Sequence, residues 1–275
     1  MSNWIMITGA TGGLGKAFAV ECASRGWNVY LTDLSEERLA VLAEAIRRTY
    51  GNGVKYCACD LANPVSRASL NTQLDREKLR FWGLINVAGV DYEGEFRERT
   101  GEQIQAIVRV NIEGNLEMTR MVLNRRDLMS TFRIINVGSL AGFFPMPVKA
   151  AYAASKRFLL DFSIAMRAEL RSQGVTVTIL CPAGLPTTAE SIRGIEAQGI
   201  LGRLTTQDIG AVATRTLDAA LRDEAVYIPG LINRIIWTLG GLFPPTFLAR
   251  LIGRRWQKAH TETLGAAFNS IAFGE

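Results

Sequence analysis

Thr8-Gly9-Ala10-Thr11-Gly12-Gly13-Leu14-Gly15 decides the fold of this 275-residue chain. It follows the apolar run Trp4-Ile5-Met6-Ile7 and precedes an amphipathic run from Lys16 to Gly26, so glycines punctuate the passage from a strand into a helix. Glycine at 9, 13 and 15 lets the backbone bend sharply, approach an anion closely and pack helix against strand. Free N–H groups at the start of the helix add partial positive charge. The turn, with Thr11 and Leu14 in it, is therefore a candidate phosphate cradle. Its strand-turn-helix setting distinguishes it from an ordinary glycine-rich loop.

Around this turn the composition is that of a soluble globular domain, 48% apolar and 21% charged. The length suits one large α/β unit. Cys22, Cys57, Cys59 and Cys181 form no pairable framework, which fits a reducing compartment. Cys57 and Cys59 have the wrong spacing for a CxxC site and would share one strand face. No cluster of His, Cys or acids suggests a metal, and the single histidine, His260, reads as solvated. Met1-Ser2-Asn3-Trp4 enters the first strand without a basic, cleavable leader, so the expected location is the cytoplasm. The net charge of +5 is uneven: Arg234, Arg250, Arg254, Arg255 and Lys258 fall between Leu231 and His260 with no Asp or Glu. The remainder is nearly neutral, which argues against a nucleic-acid-binding surface.

Beyond the first helix, Asn28–Thr32 reads as a buried strand ending at Asp33, and Ser35 caps a helix to about Tyr50. With Ser35 serving as the cap, Asp33 is left available about 20 residues past the turn, where an acid grips a ribose diol. It would repel a 2′-phosphate, and Leu34 follows it where a cation would be needed, so NAD is favoured over NADP. Val54–Cys59 is a third strand closed by Asp60 and Leu61; Asn63 and Pro64 begin the next helix. Gly83–Val87 runs into Ala88 and Gly89. A helix from about Glu102 to Met129 carries Asn111, a poor helix former, in its middle. Arg133–Val137 precedes Ser139, and a helix from about Ala151 to Ser172 puts Tyr152 and Lys156 on one face. Val175–Leu180 ends in Cys181 and Pro182. After a glycine-containing stretch from 188 to 204, read as a flap, come a helix over Gln207–Arg222 and a strand over Ala225–Ile228. Seven strands alternating with helices imply a doubly wound parallel sheet, whose ligands bind at the carboxyl ends of the strands. The expected organisation is a single catalytic domain over residues 1–228 and an apolar, basic extension over 229–275.

These residues together resemble the classical short-chain dehydrogenase/reductase family, with its Rossmann-like fold. The resemblance runs from Trp4 to about Ile228. It rests on the TGxxxGxG turn at Thr8–Gly15, on Asp60, on Asn86-Val87-Ala88-Gly89, on Asn111 and Ser139, and on Tyr152-x-x-x-Lys156, in family order. Two departures are Val87 within the NNAG pattern and Ala183 after Pro182. The resemblance implies that Asn111, Ser139, Tyr152 and Lys156 are catalytic. It implies that Gly9, Thr11, Gly13, Leu14, Gly15, Asp33, Asp60, Leu61, Asn86, Ala88, Gly89, Tyr152, Lys156, Pro182 and Thr187 bind a nicotinamide dinucleotide. Asn111 would kink its helix and hold a water leading to Lys156, Lys156 would grip the nicotinamide ribose, Thr187 would fix the carboxamide, and Asn86 would serve by linking strands. Homodimers or homotetramers through the helices of Asn111 and Tyr152 are also implied.

The chemistry is coherent in its own right. Hydride transfer between an alcohol carbon and nicotinamide needs a group that moves the hydroxyl proton near neutral pH. Tyr152 could do so if its pKa fell from about 10 toward neutrality, roughly 3 pH units or about 4 kcal/mol. Lys156 and the oxidised ring would supply the cations, and Ser139 would orient the substrate oxygen. Phe143, Phe144, Pro145 and Met146, with the apolar extension, point to lipophilic alcohols or ketones of steroid, bile-acid or acyl type. The extension would pack on the same chain or a second subunit over the pocket, or lie as an interfacial element on an anionic membrane; it is too short to span one. The competing functions are an NADPH-dependent 3-oxoacyl reductase and a catalytically silent dinucleotide sensor.

Overall fold

The computed structural model describes residues 4–187 and 204–254. Most of the expected flap and the chain from residue 255, including His260, lie outside the described residues. Seven parallel strands form one sheet: β1 Trp4–Thr8, β2 Asn28–Asp33, β3 Val54–Ala58, β4 Phe81–Asn86, β5 Phe132–Val137, β6 Val175–Leu180 and β7 Val226–Tyr227. Their order is β3-β2-β1-β4-β5-β6-β7. The chain thus winds outward from β1, returns and starts again beside it at β4, so the crevice expected of such sheets opens between β1 and β4.

Strand periodicity explains the two layers. In β1, Ile5 and Ile7 face the helices α1 Gly13–Ser24 and α2 Glu36–Tyr50, where Phe18, Leu39 and Leu42 meet them. Met6 faces the other way, into a core with Leu70, Leu84, Met118, Ile134 and Val177. Apolar residues on both faces are what a parallel sheet buried under helices on each side requires. The second layer is formed by α3 Pro64–Glu77, α5 Asn115–Leu123 and α6 Ala150–Leu170; α4 Gly101–Val108 precedes α5, and α7 Ile209–Leu221 packs on α1.

Within the second layer a buried polar ladder ties strands to helices. The Asn86 amide donates to Thr119 Oγ1 and to Asn136 Oδ1, both at 3.0 Å, and Asn136 Nδ2 donates to Ser163 Oγ at 2.9 Å. Asn86 and Asn136 are partners in the β4–β5 register.

Three expected boundaries change. The helix expected over Glu102–Met129 is α4, then a π-helical segment Arg109–Gly114, then α5, which stops at Leu123. It stops because Arg125 turns back on Met121 O (2.8 Å) and onto Asn71 and Asp75 of α3, while Phe81 N and Asp127 N bond the chain to the start of β4. β3 ends at Ala58, and β7 keeps two residues of the four expected. The extension begins with α8, Leu231–Gly240, and a helix over 245–254. Among the described residues no helix is long and apolar enough to cross a membrane.

Phe18 is fully buried between β1 and α7, whereas Val20 on the same helix is 40% exposed. Phe18→Ala is expected to cost about 3–5 kcal/mol in denaturant unfolding, and Val20→Ala less than about 1 kcal/mol.

Candidate active site

Register brings the site to one edge. Thr8 of β1 lies opposite Thr32 of β2 and Asn86 of β4, Asn86 opposite Asn136, and Val137 opposite Leu180. The turns after Thr8, Asp33, Asn86, Val137 and Leu180 therefore open side by side.

At the first of these, Gly9 has φ 63°, and a Cβ on it would sit 2.9 Å from the Ala88 backbone. A Cβ on Gly15 would overlap the Gly9 carbonyl oxygen. Both positions demand glycine because two backbones meet there. Thr8 Oγ1 accepts from the Val87 and Ala88 amides at 3.1 and 3.2 Å, which locks the glycine turn to the Ala88–Gly89 turn. No side chain caps α1 at Gly12, so its first amides, those of Gly13 and Leu14 among them, face the crevice as donors for phosphate. Thr187 lies over the turn, 3.2 Å from where a Cβ on Gly13 would be. This cradle has the shape and donor set for a dinucleotide.

Asp33 is more committed than its sequence position implied. Its Oδ2 accepts from the Thr11 amide (2.8 Å) and hydroxyl (2.7 Å), and its Oδ1 from the Leu34 amide (2.7 Å). A carboxylate offers about four acceptor positions, so one remains for a ribose hydroxyl while the others pin the turn to β2. Asp60 accepts from the Ala62 amide at 2.8 Å, and Leu61 is buried beneath the π segment at Gly114. The Pro182 carbonyl accepts from Leu140 N at 2.8 Å, holding the β6 turn to the Ser139 turn. Asn86 is 2% exposed with its amide nitrogen committed to the ladder, where it ties β4 to β5 and α5.

The catalytic candidates converge from three elements. Fully buried in the π segment, Asn111 clamps Val90 through both main-chain groups, accepting from its amide (2.8 Å) and donating to its carbonyl (2.9 Å). It also donates to Ser155 Oγ at 3.0 Å, and Ser155 donates to Tyr152 O at 2.7 Å. A Cβ on Gly89 would fall 3.2 Å from Asn111 Oδ1 and 3.3 Å from Lys156 Nζ, so these three are neighbours. The Asn111 carbonyl accepts from Asn115 Nδ2 at 3.1 Å. Lys156 Nζ donates to the Val137 carbonyl at 2.9 Å and stands 5.6 Å from the Tyr152 ring centre. The Ser139 hydroxyl lies close enough to the Tyr152 phenol to favour its charged form.

The electrostatics correct one expectation. Burial first, and then the Asp91 carboxylate, push the Tyr152 phenol up to about 12, against the pull of Ser139 and Lys149. Burial pulls Lys156 down to about 8. The protein's own groups therefore do not bring the phenol near neutrality, because stripping water from a phenolate outweighs the surrounding donors. Lys149, three residues before Tyr152, and Asp91, two after Gly89, were not singled out in the sequence. A Lys three residues upstream, at the start of the helix, was the available signal; Asp91 is brought in by the fold alone.

Beyond the Ser139 turn, Phe143 lies 5.7 Å from Trp237 of α8, ring centre to ring centre, and Gly240 leaves room for the Phe144 ring. The first helix of the extension thus packs on the apolar loop between Ser139 and Tyr152. A separate polar cavity of about 360 Å³ is lined by Asn71, Asp75, Arg120 and Arg125 at the opposite edge of the sheet, where these guanidinium groups already pair with Asp75 and Glu117.

Comparison with known proteins places this geometry. The family model for short chain dehydrogenase matches residues 3–194. The 17-beta-hydroxysteroid dehydrogenase type 3 of Rattus norvegicus is 33% identical over 190 residues, covering 68% of this chain and 61% of that protein. The very-long-chain 3-oxoacyl-CoA reductase-A of Danio rerio is 30% identical over 199 residues, 70% of this chain and 61% of that protein. The chain thus spans about three fifths of the length of these curated relatives. A short-chain dehydrogenase from Sphingobium yanoikuyae, solved in complex with NADPH, superposes with a TM-score of 0.76 at 30% identity, covering 87% of this chain and 92% of that one. The chain belongs to the short-chain dehydrogenase family, whose members bind a nicotinamide dinucleotide.

Proposed function

We propose that this chain is an NAD-dependent oxidoreductase that interconverts secondary alcohols and ketones of lipophilic substrates. The observation that carries it is the placement of the Tyr152 phenol between Ser139 and Lys156 at the rim of the glycine cradle. When bound, the dinucleotide supplies the two-electron acceptor and, oxidised, a positive charge. In the direction of oxidation Ser139 orients the substrate hydroxyl and Tyr152 removes its proton. Lys156, with its side chain anchored on Val137, completes the charge around the phenol, and Gly89 and Asn111 hold it there. Tyr152→Phe is expected to abolish turnover while dinucleotide binding, followed by fluorescence quenching, stays within about twofold; full activity in that variant would refute the assignment.

For NAD over NADP the support is Asp33, which keeps one acceptor position toward a ribose, carries negative charge, and is followed by the exposed apolar Leu34. At equal concentrations NAD is expected to give the higher kcat/KM, with Asp33→Asn narrowing the ratio about tenfold or more. A wild-type preference for NADP would discredit this role.

Lipophilic substrates are favoured by the wall of Phe143, Phe144 and Trp237, and by relatives named for hydroxysteroids and very-long-chain acyl groups. Trp237→Ala is expected to raise KM for a steroid alcohol about tenfold or more while KM for NAD holds; equal changes in both would remove Trp237 from the substrate side. The 3-oxoacyl reductase relative keeps an acyl ketone reduced with NADPH as the second reading, decided by the same cofactor comparison. A silent sensor is disfavoured by the retained Ser139, Tyr152 and Lys156. Exposed Val108, Phe158 and Ile164 support homo-oligomer formation through the helices of Asn111 and Tyr152. Leu231, Leu242 and Phe243, exposed near Arg234 and Arg250 with no acid between them, favour peripheral contact of a cytoplasmic enzyme with an anionic membrane.

A further inference from the structure

Tyr152 has two ammonium neighbours, not one. Lys149 Nζ lies 5.8 Å from the centre of its ring, almost the same distance as Lys156 Nζ at 5.6 Å. Lys149 is the N-cap of α6, three residues before the tyrosine, and Lys156 follows it by four residues within the helix, so the ring is bracketed between them. Their anchors differ. Lys156 donates to a main-chain carbonyl, whereas Lys149 is held by two carboxylates, Asp91 Oδ2 at 2.6 Å and Glu93 Oε2 at 3.0 Å. Burial works against the Lys149 ammonium, but Asp91 and Glu93 outweigh it and hold it up at about 12, so it stays charged wherever the enzyme works.

The segment carrying Asp91 is fixed at both ends. Asn111 clamps Val90 on one side, and Gly94 N donates to Val148 O at 2.8 Å on the other. Val148 itself has φ 61°, a left-handed conformation that is costly for a β-branched residue and is kept only where the surroundings over-determine it. That conformation immediately precedes Lys149. In addition, Asp91 Oδ1 is buried without a hydrogen-bond partner, while Oδ2 pairs with Lys149.

Among the described residues five groups therefore face Tyr152: Asp91 from the turn after β4, Ser139 from the turn after β5, Cys181 from the turn after β6, Lys149 at the N-cap of α6 and Lys156 within it. Cys181 is held up at about 12 by burial and stays neutral through the working range. Of these, Lys149 and Asp91 add opposite charges that the short-chain dehydrogenase signature residues do not account for.

We propose that Lys149 and Asp91 form a charge couple that positions the Tyr152 proton: Lys149 is a second cation on the phenol, and Asp91 is the counter-charge that sets how strongly it acts. This rests on Tyr152 being the proton-transfer group. Removing the cation disfavours phenolate and removing the carboxylate favours it, so the two variants must move the titration in opposite directions.

The test measures kcat/KM for oxidation of a steroid alcohol with NAD against pH, in wild type, Lys149→Met, Lys149→Arg and Asp91→Asn. Alongside, the phenolate absorbance of Tyr152 is titrated in the full-length protein with NAD as the difference from the same protein carrying Tyr152→Phe. Lys149→Met is expected to move the rising limb and the absorbance midpoint up by about one pH unit, or roughly tenfold less activity at a fixed pH below the limb. Asp91→Asn is expected to move both downward, and Lys149→Arg to leave both in place. A merely structural role would lower kcat with the limb unmoved. Midpoints that stay put in Lys149→Met and Asp91→Asn, or move the same way in both, overturn the couple. Should Tyr152→Phe retain full activity, the proposed function fails instead, and the absorbance titration still decides the couple.

Discussion

The rim of this sheet depends on two backbones meeting without side chains between them. Gly9 approaches Ala88 where the chain reverses its winding, and the Thr8 hydroxyl clasps the amides of Val87 and Ala88. Any Cβ at residue 9 would push β1 and β4 turns apart. The amides that open α1 and the Gly89 turn that abuts Lys156 would then no longer share one crevice. Binding and chemistry are thus coupled through one close contact.

Around that contact the site is assembled from opposing charges in a dry setting. Burial alone makes Tyr152 a weaker acid than free tyrosine and Lys156 a weaker base than free lysine. Both effects come from the loss of water, which penalises whichever form carries charge. Burial therefore holds the phenol in its protonated form and eases proton loss from the lysine beside it.

Much of this was legible in the chain. The glycine turn, the alternating strands and helices, and the Asn111, Ser139, Tyr152 and Lys156 spacing are local patterns, and the structure brings those residues to one edge. What was hidden depends on distant partners. The end of α5 at Leu123 has no glycine or proline to announce it; it is set by Arg125 gripping α3, about fifty residues earlier. Asp33 looked idle because its partner, Thr11, sits 22 residues before it. Burial of the phenol, and Asp91 brought in from 61 residues away, are set by the fold, so neither entered a pKa argued from the cations around Tyr152. The π segment is intermediate: Asn111 marked the anomaly, but its form depends on Asn115 supplying the donor for the displaced carbonyl.

The amide ladder through Asn86 and Asn136 bears on how the sheet assembles. Both side chains belong to the layer occupied by α5 and α6, and each finds its partner only in the native pairing. Sliding β5 by one residue would turn Asn136 onto the greasy opposite layer and orphan Asn86, at about 1–3 kcal/mol for each stranded group. An apolar pair would tolerate that slip far better. The ladder therefore works as a register mark, penalising sheets paired one residue out of step.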